Sequence, residues 1–472
     1  MLTMKKIIRT FSPCLLGIVF FSGCKKYLDI NENPNAATEP PIAGLLAHGT
    51  NASAYTTFNT SNITSYYVQY LASPTKGNDL DTYNATDESS TWSYNYDILT
   101  DMYAMRNLAI SKNLMAYRGV ADILTAYNLQ LSLNLWGDIP YSQAFQGATN
   151  FTPLLDNQKS LYDTCIALLD RGISELSDPN LDGQLDAQSD FIHGGNDAAW
   201  VKTAYLLKAR LLNEITKQPE YSPAAVLAAL ANSYESNDDD AQVTLFDGSG
   251  PWTQVAINNA LLLLDGWLSA YFVGVTNDSL YGYYDPRLPA ITNKTADGFY
   301  RGTQNGAGHT GSSTDQGESV LPEDKWYSVP GAPLLIATFA EAKFMESEAQ
   351  FRSGHLPEAY DAYLAGIKAN MQKLNLPDSS ITRYTTLPAV AVGSANLTLT
   401  LIMKEKYIAC FLMPVTWDDM RRFDYAYKQF ELPANANLDV FIRRIDYPTI
   451  EYSTNGKNIP AVKLTDHLWW DQ

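Results

Sequence analysis

Positive charge, cysteine and histidine are all scarce in this sequence of 472 residues. Its 33 Lys and Arg residues are outnumbered by 51 Asp and Glu residues, which gives a formal net charge of −18. Binding to phosphates needs clustered basic residues, so this balance disfavours a nucleic-acid-binding protein. Four cysteines are too few for a disulfide scaffold, and the five histidines stand far apart, which argues against a zinc or iron site.

Long apolar runs and the common catalytic motifs are also missing. After the first 24 residues, no run reaches the roughly 20 apolar residues that a transmembrane helix needs. The sequence has no G-x-x-x-x-G-K-[ST] phosphate loop, no G-x-S-x-G motif and no H-E-x-x-H motif. Residues 306–311 have the G-x-G-x-x-G spacing, but no buried strand precedes them and no helix follows, so we interpret them as a loop.

What the sequence has in quantity is apolar and aromatic side chains. Hydrophobic residues make up 46% of the chain and charged residues 18%, which is typical of a globular protein with a large core. The 30 tyrosines and 9 tryptophans are a clear excess of flat amphipathic rings. Such rings serve either packing or ligand binding, and the sequence must indicate which rings do which.

The first 24 residues have the layout of a secretory signal. Three basic residues precede the apolar run Phe11–Phe21, which is followed by Ser-Gly and Cys24. The apolar run and its small-residue ending resemble the lipobox of bacterial lipoproteins, with Phe21 in place of the usual leucine. We therefore predict a signal peptide over residues 1–23 and lipid attachment at Cys24, and the alternative is an ordinary signal peptide with an incidental cysteine.

The rest of the chain divides into a short tether and a long body. Residues 24–41 are polar and rich in proline and asparagine, so we predict a lipidated tether there. Residues 42–472 are predicted to form a single integrated helical domain, with an irregular insert at about 238–331. Removal of residues 1–23 deletes three basic residues and no acid, which changes the formal net charge from −18 to −21.

Apolar stripes with helical spacing predict a mostly α-helical fold. One stripe runs from Val201 to Ile215, and it is so wide that the helix must pack between neighbours. Another stripe, from Leu161 to Leu176, includes Cys165. Cys410 also lies in an apolar run, so both cysteines are predicted to be buried core thiols. A disulfide bond between them is left open.

Two consecutive helices in the second half of the chain resemble a tetratricopeptide unit. Helical periodicity returns at about Leu334, and after a glycine-containing turn Pro357 begins a second helix that Pro377 ends. Two further elements are predicted near the end of the chain, a helix over Leu399–Leu412 and a strand-like piece over Ile459–Leu464. The expected architecture is a helical-repeat scaffold with an irregular, loop-rich portion for ligand binding.

The aromatic residues of the irregular insert are the best candidates for a ligand surface. Sugars present apolar C–H faces that stack on aromatic rings, while neighbouring polar groups hydrogen-bond the hydroxyls. For any single ring, packing remains the simpler interpretation, and rings outside helices are the better candidates. The predicted ligand-binding residues are Trp252, Tyr283, Tyr284, Tyr300 and Trp326.

A short acidic run is the one indication of a metal. Residues 237–240 read Asn-Asp-Asp-Asp, and their oxygen atoms would suit Ca²⁺, although a solvated loop is the simpler interpretation. No pair of carboxylates stands out as catalytic. The sequence therefore predicts no catalytic residue, no metal site and no cofactor, with calcium as an unsupported alternative.

Five short motifs are spread along the chain after Cys24. They are Asn134–Phe145, which reads N-L-W-G-D-I-P-Y-S-Q-A-F, Asp285–Leu288, which reads D-P-R-L, and the segments Glu341–Ala349, Trp417–Arg422 and Arg443–Pro448. The first is similar to the N-x-W-G-D-[IV]-P-Y-[ST]-x-A-F signature of the SusD/RagB-like outer-membrane lipoproteins of Bacteroidota. The other four also resemble motifs of this family, and the resemblance covers nearly the whole chain after the signal peptide.

The resemblance implies both a fold and a function. The fold would be mostly α-helical with four tetratricopeptide-like units. The protein would be lipid-anchored in the cell outer membrane and face the cell exterior. It would bind an oligosaccharide without catalysis and deliver it to a SusC-like TonB-dependent transporter, which it covers as a hinged lid. The alternatives are a peptide ligand, a surface glycoside hydrolase, and a scaffold that binds only protein.

The resemblance also assigns structural roles to some motif residues. Trp136 and Pro140 would form a packed turn after a helix, and Arg421 and Arg422 would form buried ion pairs. Because ligand-binding residues vary within the family, none is carried over by motif.

Overall fold

Helices form most of the described chain, which in this computed structural model comprises residues 40–246, 248–261, 266–310 and 317–472. The helices are α1 (Ile42–Tyr67), α2 (Ser89–Lys112), α3 (Met115–Trp136), α4 (Gln158–Leu176), α5 (Asp197–Glu214), α6 (Pro223–Leu230), α7 (Pro251–Ala260), α8 (Ala270–Thr276), α9 (Leu288–Ile291), α10 (Phe339–Arg352), α11 (Leu356–Lys373), α12 (Asp378–Thr385), α13 (Leu399–Ala409), α14 (Val415–Arg422) and α15 (Thr449–Asn455). The mostly α-helical prediction is confirmed. The signal peptide, Cys24 and the tether up to residue 39 lie outside the described residues.

The strands are few and short. They are β1 (Leu71–Ala72), β2 (Ala241–Val243), β3 (Trp267–Leu268) and β4 (Leu334–Ala337). β1 pairs with β3, and β2 pairs with β4, both antiparallel. Among the described residues, no helix combines the length and apolarity that crossing a membrane requires.

Helices α1 to α5 pack against one another because each has an apolar face that must be shielded from water. α4 begins where the Asn157 side chain accepts a hydrogen bond from the backbone of Lys159, and its apolar stripe is buried. α3 is buried over almost all of its length and packs against α1, α2 and α4. The predicted packing of the Val201–Ile215 stripe between neighbours is confirmed by α5, which contacts α3, α4, α6 and α10.

α10 and α11 form the predicted tetratricopeptide-like pair. The Thr338 side chain caps α10 by accepting from the backbone of Glu341, and the turn after α10 contains Gly354 with φ of +79°. The two helices approach closely at Gly366, where an added Cβ would lie 2.9 Å from the Phe344 ring. Pro357 lies in the first turn of α11, as expected.

Two boundaries near these helices differ from the prediction. The apolar run Leu334–Ala337 is a strand, and α10 begins only at Phe339. All four strand residues are buried, and a short continuous apolar run has no period that distinguishes a strand from a buried helix. Pairing with β2, which is about 90 residues away in the sequence, decides the outcome.

The end of the chain also differs. α13 ends at Ala409 instead of Leu412, whose φ of +59° is incompatible with a helix. Ile459–Leu464 forms no strand, although the Leu464 carbonyl accepts from the backbone N–H groups of Arg443 and Arg444 at 2.8 and 3.2 Å. Two bonds to one carbonyl do not make a ladder, so the prediction of a strand-like piece was wrong here.

Charged side chains are buried where the helices meet. The Arg422 guanidinium donates to both oxygens of Glu348 on α10, at 2.5 and 2.6 Å, and Arg210 pairs with Glu341 at 2.7 Å. The predicted ion pair of Arg421 is also present, with Asp418 at 2.6 Å. Because a buried charge is stable only when it is paired, these contacts fix how α5, α10 and α14 meet.

The other structural predictions for the core are confirmed. Trp136 is fully buried and packs edge-on against Trp92, with ring centroids 4.9 Å apart, and the Pro140 carbonyl accepts from Tyr96 Oη at 2.6 Å. Cys165 and Cys410 are both buried. Both are free thiols, so no disulfide bond joins them in this structure.

Candidate ligand-binding site

The D-P-R-L motif anchors the irregular insert to the helical body. Asp285 and Arg287 are fully buried, and the Arg287 guanidinium donates to the Asp285 carboxylate at 2.9 and 2.6 Å. The same guanidinium donates to Glu405 of α13 and, at 3.3 Å, to Asn370 of α11. These contacts fix the backbone immediately after Tyr284, because a buried arginine cannot leave its partners without a large cost.

Tyr284 and Tyr300 lie together at the surface. A β-bridge joins Asn277 to Tyr284, and Asn277 Nδ2 donates to the Tyr300 carbonyl at 3.2 Å. The two ring centroids are 6.2 Å apart, and Lys294 Nζ lies 5.7 Å from the Tyr300 centroid. Tyr284 is 39% exposed, and Phe299, the residue before Tyr300, is 63% exposed. We call Tyr284, Tyr300 and Lys294, with Phe299 beside them in the chain, the aromatic ledge.

The ledge combines aromatic ring surface with hydrogen-bond donors. Burial, followed by the interaction with the Tyr300 hydroxyl, raises the pKa of Tyr284, and its phenol, protonated at neutral pH like that of any tyrosine, carries a donor hydrogen. The exposed ring faces offer apolar surface to C–H groups. Lys294 adds a hydrogen-bond donor at the edge.

Tyr283 and Trp326 have a different role from the ledge. The Tyr283 ring covers Lys404, whose Nζ lies 5.0 Å from the ring centroid and whose side chain is 1% exposed. The Trp326 ring lies 5.7 Å from Lys373 Nζ and packs edge-on against Tyr327 at 4.8 Å. Both rings are half-buried and stabilise a lysine by a cation–π contact.

Trp252 serves packing, which corrects the prediction for this residue. Its side chain is 4% exposed and packs edge-on against Phe58 of α1, with ring centroids 4.8 Å apart. It lies in α7, a helix that the sequence did not indicate. A buried ring has no free face on which a sugar can stack, so Trp252 is left out of the candidate site.

A concave pocket of about 290 Å³ is lined by the loop that precedes Tyr284. We call it the proximal pocket. Polar residues line it together with Tyr271, and they come from distant parts of the chain: Gln69, Ser279, Gln304, Asn305, Gln429 and Glu431. Gln69 Nε2 donates to the Glu431 carbonyl at 2.7 Å, which closes one wall.

Glycines allow the loop over the proximal pocket to pack closely. Gly306 has φ of +76°, and an added Cβ would lie 1.8 Å from the Ala434 carbonyl oxygen. The Gly306 N–H donates to the buried carboxylate of Asp81 at 2.9 Å. The G-x-G spacing found in the sequence thus serves a tight crossing of two loops, in agreement with the loop interpretation. Gly311, the last glycine of that spacing, lies outside the described residues.

The sequence pointed to the two tyrosines of the ledge as candidates but not to most of the pocket residues. Tyr284 and Tyr300 were predicted because they are aromatic and lie in the irregular insert. Gln69, Tyr271 and Glu431 were missed because each stands in an ordinary local context. Only the folded chain brings the segment after α1, helix α8 and the segment after α14 to one pocket, and no local pattern carries that information.

The acidic run 237–240 is engaged with lysines. Asp239 accepts from Lys202 at 3.0 Å, and Asp240 accepts from Lys373 at 2.6 Å. Within the part of the chain that the structure describes, no three His, Cys, Asp or Glu residues are grouped as metal ligands. Two of the three carboxylates therefore already have cationic partners in this structure.

Solved structures with the same fold are numerous. A SusD/RagB family protein from Bacteroides thetaiotaomicron superposes with a TM-score of 0.74 at 21% identity, covering 92% of this chain and 99% of that chain. A chitin-binding SusD homologue from Flavobacterium johnsoniae gives 0.76 at 22% identity, covering 90% and 98%. A SusD homologue from Bacteroides fragilis gives 0.76 at 20% identity, covering 92% and 100%. No curated protein matches the chain.

A family model also matches residues 34–448, which is most of the sequence. Its description is "Starch-binding associating with outer membrane". This match agrees with the helical-repeat fold and with the motif resemblance. The chain therefore belongs to the SusD-like family.

Proposed function

We propose that this protein is a non-catalytic, surface-exposed lipoprotein that binds an oligosaccharide nutrient and delivers it to a TonB-dependent transporter in the outer membrane. The observation that carries the proposal is the Tyr284–Tyr300 pair at the surface, with Tyr284 39% exposed and ring centroids 6.2 Å apart, beside two segments that also line the proximal pocket. Stacking on these rings and hydrogen bonds from the pocket would hold the sugar on a pre-formed surface.

The comparisons support a sugar as the ligand. The family model is described as starch-binding, and a relative of the same fold from Flavobacterium johnsoniae is described as chitin-binding. Both ligands are polysaccharides, although the monosaccharides differ. A peptide ligand is the alternative within the same family.

The described residues of the proximal pocket do not by themselves supply the carboxyl pair of a glycoside hydrolase. Glycoside hydrolysis needs two carboxyl groups on opposite sides of the scissile bond, roughly 5–10 Å apart. Among the described residues that line the pocket, Glu431 is the one carboxylate. The enzyme alternative predicts new reducing ends when the purified protein is incubated with polysaccharides, and a single Asp or Glu substitution that abolishes such turnover would contradict our proposal.

Replacing Tyr284 or Tyr300 with alanine is expected to weaken glycan binding about tenfold or more, since tenfold corresponds to about 1.4 kcal/mol and a stacked ring contributes on that order. A glycan array with the wild-type protein selects the ligand, and isothermal titration calorimetry measures the variants. Tyr103→Ala is the matched control, because Tyr103 is 41% exposed and stacks on Phe145, with centroids 5.0 Å apart, outside the candidate site. Equal affinity for wild type and both ledge variants would refute the site.

Replacing Cys24 with alanine is expected to release the protein from the outer membrane, because the body would lose its lipid. Without acyl chains, an acidic protein has little attraction for an anionic surface. Fractionation of cells that express wild-type and Cys24→Ala protein measures the effect. A Cys24→Ala protein that still sediments with the outer membrane would contradict lipid anchoring, and Cys165→Ala, which removes a buried thiol, serves as the control.

A further inference from the structure

Leu432, which lines the proximal pocket, also lines a second concavity. This distal pocket has a volume of about 350 Å³ and is lined by Asp439, Val440, Phe441, Arg443, Thr465 and His467, with Leu432 shared between the two pockets. We propose that the two pockets form one tract that binds a neutral, linear oligosaccharide of several residues, with the distal pocket as a second subsite. The inference rests on the proposed function and specifies its ligand.

The size of each pocket supports this. Ligand sites usually occupy roughly 300–1,000 Å³, so 290 Å³ and 350 Å³ are each near the lower limit. One pocket alone suits a short sugar. A linear chain that passes over Leu432 fills both.

The segment that separates the pockets is held firmly in place. The Ala434 N–H donates to the Asn305 carbonyl at 2.9 Å, and Asn435 Nδ2 donates to the Gly306 carbonyl at 3.1 Å. Farther along, the Asn437 N–H donates to the Thr82 carbonyl at 2.8 Å. The rim of the tract is therefore pre-formed, which reduces the ordering cost of binding.

The distal pocket combines an apolar surface with hydrogen-bonding groups. Val440 is 54% exposed, and Phe441 is held by stacking on Tyr425, with centroids 4.4 Å apart and planes 16° from parallel. Asp439 and Thr465 add a carboxylate and a hydroxyl. This mixture is what one sugar residue needs, an apolar face for its C–H groups and polar partners for its hydroxyls.

The charges of the tract favour a neutral chain over an anionic one. The Arg443 guanidinium donates to Asp471 at 2.8 and 3.0 Å and to Asp424 at 3.1 Å, so its charge is already compensated. Glu431 and Asp439 contribute negative charge to the two pockets. A uronate or sulfate group placed there would be repelled by these carboxylates.

The test is calorimetric titration with linear malto-, chito-, xylo- and manno-oligosaccharides of two to six residues, with oligogalacturonides and with hexapeptides. For one neutral series, we expect affinity to rise about tenfold from the dimer to the hexamer. Val440→Glu should remove that gain, so that it weakens hexamer binding much more than dimer binding. Ile450→Glu is the matched control, because Ile450 is an exposed aliphatic residue on α15, 41% exposed, and should change neither value.

The outcomes separate the tract from the proposed function. Affinity that is the same for dimer and hexamer, or a Val440→Glu loss that is equal at all lengths, would overturn the tract while glycan binding stands. Tighter binding of an oligogalacturonide or of a peptide would overturn the ligand class. If no neutral series binds the wild-type protein, the proposed function and the tract are both refuted.

Discussion

Replacing Arg287 with leucine is expected to lower the free energy of unfolding by about 3–5 kcal/mol, because two buried carboxylates would lose their shared cation. Asp285 and Glu405 both have 0% exposed side chains and both accept from Arg287. Lys404 would still compensate Glu405, at 2.7 Å, so the largest penalty should come from Asp285. Chemical denaturation followed by circular dichroism measures the change.

Arg301→Leu is the matched control for this experiment. Arg301 also pairs with an aspartate of the irregular insert, Asp297 at 2.9 Å, but both side chains are about half exposed. Exposed ion pairs contribute little because water and salt screen them, so this variant should unfold almost as the wild type does. Similar losses for both variants would contradict the view that burial of Arg287 determines its importance.

Replacing Glu348 with glutamine is expected to cost about 3–5 kcal/mol as well, because the neutral amide cannot compensate the buried charge of Arg422. The Glu348 carboxylate also accepts from Arg352 at 2.9 Å and from Asn213 at 3.1 Å, so three helices meet at this group. Thermal and denaturant unfolding measure the loss. A cost below about 1 kcal/mol would show that Asp419, which also pairs with Arg422 at 2.6 Å, suffices alone.

Glu346→Gln is the control on the same helix. Glu346 pairs with Lys343 at 2.7 Å, and both side chains are about 30% exposed, so we expect a change below about 1 kcal/mol.

The pH dependence of stability provides a second measurement of the Glu348 contribution. Although burial opposes it, Arg422 holds the pKa of Glu348 well below its usual value. The stabilisation by Glu348 is therefore present above pH about 4.5 and is lost as the pH falls toward its folded-state pKa.

The helical part of the fold could be predicted from the sequence because its signals are local. The stripe of α4 and the Pro357 start of α11 each lie within one element, and both were predicted within a few residues. The strand Leu334–Ala337 could not be distinguished from a helix, because its identity depends on a partner strand elsewhere in the chain. Helix periodicity is an intrinsic property of a segment, whereas strand pairing is not.

The candidate site was predictable only in part, for the same reason. Tyr284 and Tyr300 were predicted because they are aromatic residues of the irregular insert. The same criterion also selected Trp252, which packs against Phe58. The sequence shows the type of side chain and not its exposure. Glu431 and Gln69 meet through a contact between residues 362 positions apart, which no single segment encodes.

That long separation has a consequence for how the protein matures. The walls of the proximal pocket come from Gln69, from the stretch around Tyr271 to Asn305 and from Gln429 to Ala434, so they meet only across long loops of chain. Closing long loops is slow and costs entropy before any contact compensates for it. The helix pairs are built from contacts that are local in the sequence, whereas the pocket also needs the segment Gln429–Ala434 near the end of the chain. The candidate ligand-binding surface therefore requires the complete chain, because its residues come from distant segments that only the finished fold brings together.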